Sequence, residues 1–121
     1  MLIMDYTQLF EKVKKEYPFS FDSFIKFVIE KNITHPQLKE DEILNNFNLY
    51  DIYSFFSKYK IRAGVMPDIN EWICVVMKGN EVRYARTGFF IDKDGDIKAR
   101  EEAEEYSIIK CFEISEEILK K

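Results

Sequence analysis

The chain has 121 residues, enough for one domain that buries roughly two thirds of its unfolded surface, so neither a metal nor a disulfide is required to hold it together. Apolar residues make up 46%, and eleven Phe and seven Tyr are among the chain's residues, a composition that excludes an intrinsically disordered segment. A net charge of −4 denies the molecule as a whole the positive field that draws proteins to nucleic acid or anionic membrane, which argues against both as primary partners.

From the N-terminus, Met1-Leu2-Ile3-Met4 meets Asp5 with no basic flank and too short an apolar run for a signal peptide. No uncharged run spans a bilayer, Ile43 to Tyr50 being typical, so the expectation is a cytoplasmic protein without membrane contact, in the host cytoplasm if phage-encoded. Asp5 followed by Gln8 resembles a capping box, and Tyr6, Leu9, Phe10, Val13 and Tyr17 recur at helical spacing until Pro18, predicting a first helix over 6–17. Ser20 is read as the N-cap of a second helix, with Phe19 stapled to Phe24 and a wide apolar face from Phe21, Phe24, Ile25, Phe27, Val28 and Ile29. Thr34-His35-Pro36 opens a short third helix through Leu38, Ile43, Leu44 and Phe47, and Asn48 caps a fourth that runs to about Tyr59.

Lys60 to Asn70 contains Gly64 and Pro67 and reads as a connector between a helical part, 1–60, and a mainly β part, 61–121, with a short strand at Ile61–Val65. Trp72 to Met77 is an apolar run ending at Gly79-Asn80, and a second run follows. A Gly-Asn loop between such runs predicts a type II′ or I′ hairpin, pairing Lys78 with Glu81, Met77 with Val82, Val75 with Tyr84 and Cys74 with Ala85. Gly88 marks a bulge before Phe89-Phe90-Ile91. A turn at Asp92-Lys93-Asp94-Gly95 leads to a third strand, Asp96–Arg100, an acidic connector to Tyr106, a fourth strand, Ser107–Ile114, and a last short helix capped by Ser115.

The resulting fold expectation is α+β: about four N-terminal helices packed on one face of a C-terminal antiparallel meander of about four strands, with a short terminal helix. The two cysteines, Cys74 and Cys111, fall in apolar runs and read as buried thiols. His35 is the sole histidine, and no CxxC or HxxxH spacing or glycine-rich phosphate loop occurs, so no catalytic residue, cofactor or metal ligand is assigned and a non-enzymatic protein is expected. Asp92, Asp94 and Asp96 imitate a calcium loop, but placing Gly95 at the sixth position puts Phe90 at the first, where a ligand is needed.

Two patches remain. Asp92, Asp94, Asp96, Glu101, Glu102, Glu104 and Glu105 form the most negative stretch, suited to a larger protein partner with a basic surface. Tyr53, Lys58, Tyr59, Lys60 and Arg62 interleave basic and aromatic residues in the manner of a nucleic-acid contact, although cations at a helix C-terminus also complement its macrodipole. The functional expectation is a small acidic protein-binding module of the inhibitor or immunity type, such as a phage or mobile-element protein that blocks a host nucleic-acid-handling system in the way of anti-CRISPR proteins. A nucleic-acid-binding accessory protein is the alternative, and an enzyme with an unfamiliar site comes third. Arg83 and Arg86, by strand parity, point to opposite faces.

Overall fold

The computed structural model describes residues 7–31, 49–91 and 95–120. In chain order these form α1 (Thr7–Glu16), α2 (Pro18–Lys31), α3 (Leu49–Ser57), β1 (Ile61–Pro67), β2 (Glu71–Lys78), β3 (Glu81–Phe90) and α4 (Asp96–Leu119). The protein is therefore α+β, as the pattern of the sequence predicts in outline. The predicted third helix, with His35, lies outside the described residues, as do Asp5, Asn48 and the turn residues Asp92, Lys93 and Asp94.

The largest departure is at the C-terminus. The expected third strand, acidic connector, fourth strand and short helix are one α-helix of 24 residues, and the sheet has three strands in the order β1-β2-β3. Small side chains at every fourth position, Ala99, Ala103 and Ser107, are all buried and let α4 lie close against the sheet. The expected layering changes with it. α4 is the main helix on the sheet, joined by α3 at β1, while α1 and α2 pack on α4 rather than on the strands.

The core gathers where α4 is surrounded. Phe112 meets Phe10, Phe24, Phe55 and Phe56 with centroids 4.8 to 6.4 Å apart, and Leu9, Val13, Phe21, Val28, Ile52, Ile61, Val76, Ile108, Cys111 and Ile114 complete the cluster. These rings come from all four helices, so each helix contributes area that none could bury alone. A smaller cluster of Trp72, Cys74, Phe89, Ala99 and Ala103 sits under the N-terminal half of α4.

Pro18 occupies the first turn of α2, where its missing N–H costs nothing. Ser20 is not the cap. It lies within the first turn, and the orphan N–H groups of Phe19 and Ser20 donate to Glu116 Oε1 and Oε2 of α4 at 3.0 and 2.7 Å. A buried carboxylate from a distant helix thus replaces the local cap, and Phe19, expected as a staple, is exposed. Ser115, expected to open a last helix, is buried inside α4, where its hydroxyl meets that of Ser20 and donates to Phe112 O.

The Gly79-Asn80 hairpin forms, and positive φ at Gly79 without one at Asn80 is the type II′ pattern. Lys78 pairs with Glu81 and Met77 with Val82, but a bulge at Arg83 then shifts the register, so Val76 pairs with Tyr84, Val75 with Ala85 and Cys74 with Arg86. The second irregularity falls at Thr87-Gly88, where Gly88 has φ 93°, as its predicted bulge requires. The extra residue also overturns the parity argument for the arginines. Arg83 reaches Glu117 of α4 and Arg86 lies over Tyr106 of α4, so both serve the helix-covered face.

Candidate functional site

The acidic residues separate according to how the N-terminal half of α4 is seated. Asp96, in its first turn, accepts a hydrogen bond from Trp72 Nε1 at 2.8 Å. The Arg100 guanidinium lies 5.5 Å from the centre of the Trp72 ring and donates to Glu104 Oε1 at 3.3 Å, and the Glu104 side chain is only 12% exposed. Asp96 and Arg100 therefore tie α4 to the sheet, and Glu104 holds Arg100 in place from one turn further along the helix. Glu101, Glu102 and Glu105 have no ion pair among the described residues. With Lys98 they occupy positions i, i+3, i+4 and i+7, so they share one face of α4, opposite the buried Ala99 and Ala103. Glu102 and Glu105 are exposed and Glu101 is half-buried. Asp92 and Asp94 lie outside the described residues.

The basic and aromatic residues are distributed differently. Tyr53 is half-buried between α3 and α4, and burial first, then the Glu104 carboxylate, push its phenol up to about 12, against a lowering contribution from its hydrogen bond with Ser107. Tyr59 stands edge-on to Phe55 with centroids 5.4 Å apart, and the Lys58 ammonium lies 5.1 Å from the centre of the Phe27 ring. Lys60 takes the left-handed φ of 60° that ends α3, and its carbonyl accepts the Gly79 N–H at 2.8 Å. Arg62 sits on the face of the sheet away from α4, with Nη2 3.4 Å from Gly79 O. The five residues that are neighbours in sequence thus point into an interhelical contact, a core margin, a turn and a sheet face.

Three further features are not among the sites expected from the sequence. Glu116 reads as one more surface charge, yet it is buried at the start of α2. Tyr84 donates to Glu113 Oε2 at 2.7 Å beside Lys110, whose ammonium also lies 4.8 Å from the Tyr84 ring centre, and this carboxylate raises the Tyr84 phenol to about 12. The third is the face of the sheet that no element among the described residues covers. Trp72, Cys74 and Val76 point toward α4, which turns Ile73, Val75 and Met77 the other way. Arg62, Gly64, Met66, Val75 and Met77 line a shallow groove there of about 320 Å³, with Val82 and Phe90 exposed at its margins. The doubly apolar pattern of β2 was the available clue.

Burial raises both thiols, and Cys74 adds to the rise at Cys111, so both are protonated and poorly nucleophilic at neutral pH. Among the described residues no three His, Cys, Asp or Glu side chains converge as metal ligands, and no helix is long and apolar enough to cross a membrane. Comparison with protein-family models, curated proteins and solved structures finds no match to this chain.

Proposed function

We propose that this protein is a small non-enzymatic binding module that docks the acidic face of α4 against a basic surface of a larger protein. The observation that carries this reading is the set of three carboxylates, Glu101, Glu102 and Glu105, with no ion pair among the described residues, held on one side of a helix whose other side is anchored to the sheet through Trp72, Asp96 and Arg100. A rigid row of negative charge presents itself without an ordering cost on binding, and it steers encounter with Lys- and Arg-rich partners. Carboxylates spaced along a helix also imitate a run of phosphates, so an inhibitor that occupies the nucleic-acid channel of a host enzyme is one concrete form of this function.

The test compares the wild type with a Glu101→Lys, Glu102→Lys, Glu105→Lys triple variant in affinity capture from the native host at low salt, with mass spectrometry of what is retained. The expected result is a basic protein captured by the wild type, lost with the variant and released as salt rises. Identical capture by both proteins at low salt removes the acidic face from the reading. Retention of the wild type on a polyanion column with steep salt dependence replaces it with nucleic-acid binding through Lys58, Lys60 and Arg62.

A further inference from the structure

The face of the sheet away from α4 is covered by no other element among the described residues, and its side chains can be placed row by row from the strand register. Nearest the hairpin, Arg62, Met77 and Val82 lie side by side. Next come Gly64, Val75 and Ala85, then Met66 with Ile73, and at the far end Glu71 with Phe90. Val82 and Phe90 are more than half exposed and Met66 nearly so. Such a largely apolar face, with a cation at one end and the carboxylates of Asp68 and Glu71 at the other, is unusual for a surface that remains in water.

We infer that this face is the interface of a homodimer, in which two copies stack sheet to sheet about a two-fold axis running across the strands between the Gly64–Val75 and Met66–Ile73 rows. The arrangement of the rows selects a second copy over any other occupant. Six residues along β2, about 20 Å, separate the row of Arg62 from Glu71, and the rotation exchanges these two ends. Arg62 of one copy then comes over Asp68 at the carboxylate end of the other, one strand across from Glu71, which lies over Met77. Among the described residues the Arg62 guanidinium has only the 3.4 Å contact to Gly79 O, and the Glu71 carboxylate has no ion pair. The same rotation places Met66 over Gly64 of the other copy. A side chain added at Gly64 would meet nothing within 4 Å, so the hollow at Gly64 is open to receive one from outside. It also sets Val82 opposite Phe90. Charge, hollow and protruding apolar groups are thus satisfied by one operation, and sheets about 10 Å apart leave the right space for these side chains. Both acidic faces of α4 remain outward, so this interface and the proposed docking surface stand or fall separately.

Sedimentation equilibrium of the full chain, from low micromolar to several hundred micromolar, tests the proposal. The expected result is a monomer–dimer equilibrium for the wild type. Gly64→Leu fills the hollow without a clash in its own chain and should weaken self-association about tenfold or more, with an unchanged circular dichroism spectrum. Arg62→Glu and Asp68→Arg should each weaken it, and the double exchange should recover most of the loss. A wild type that stays monomeric throughout overturns the proposal. So does a dimer indifferent to Gly64→Leu and to both charge exchanges, since its interface would then lie elsewhere.

Discussion

The two halves of α4 obey different rules although they belong to one helix. From Ser107 to Glu116 it is enclosed by α1, α2, α3 and the strands, and even Ser107, Ser115 and Glu116 are buried there. From Asp96 to Tyr106 it rests on the sheet by a narrow strip, Ala99 and Ala103, and turns carboxylates to solvent. The difference teaches that stability and recognition can be carried by successive turns of one element. The enclosed half holds the helices together, and its rigidity is transmitted to the charged half through continuous backbone hydrogen bonds.

The sharpest way to break that contrast is Phe112→Ala. It removes the ring on which Phe10, Phe24, Phe55 and Phe56 converge and should cost about 3–5 kcal/mol in chemical denaturation. Glu116→Ala comes next. It strips the Phe19 and Ser20 N–H groups of their acceptor in a buried site, for an expected loss of about 1–3 kcal/mol, with Glu116→Gln intermediate because one amide oxygen can still accept. In the other half, Trp72→Phe deletes the hydrogen bond to Asp96 while keeping most of the apolar area, and about 1 kcal/mol should be lost.

Alkaline titration sharpens the comparison at the junction of the halves. Tyr53 and Tyr84 both ionise near 12 in the folded protein, against 10.0 for an ordinary tyrosine, so folding favours their neutral phenols. Their contribution is therefore complete below about pH 10 and is lost as pH rises from 10 toward 12. Ultraviolet absorbance should show these two phenolates appearing late, and Tyr84 should titrate earlier in a Glu113→Gln variant. The smallest effect belongs to the exposed acidic face, where Glu102→Lys with Glu105→Lys should change stability by less than about 0.5 kcal/mol while altering any charge-dependent docking.

Local chemistry explains which elements were legible. Leu9, Phe10 and Val13 repeat at helical spacing in α1, Pro18 breaks and restarts the chain, and Gly79-Asn80 forms its hairpin turn where read. α4 was misread because its enclosed half is apolar around much of its circumference. Ile108, Ile109, Cys111, Phe112 and Ile114 then look like a buried strand, since the periodicity that marks a one-sided helix is gone. The Arg100–Tyr106 segment, rich in Ala, Glu and Arg, carried a helical preference that argued the other way. At the candidate site the charge of Glu101, Glu102 and Glu105 was plain from composition, whereas the pairing of Asp96 with Trp72 was not, because Trp72 arrives from a different element.

By itself, then, the order of residues determined the α+β class, the limits of α1 to α3 to within a few positions, the turn at Gly79 and the acidity of the 92–105 stretch, because each rests on interactions a few residues apart. Tertiary structure alone decided that one long helix would take the place of two strands, that Glu116 would cap α2 and that, among the described residues, every helix would pack on the same face of the sheet. Those outcomes depend on which surfaces meet across the chain, and burial energy shared among distant elements is not written in any short stretch of it.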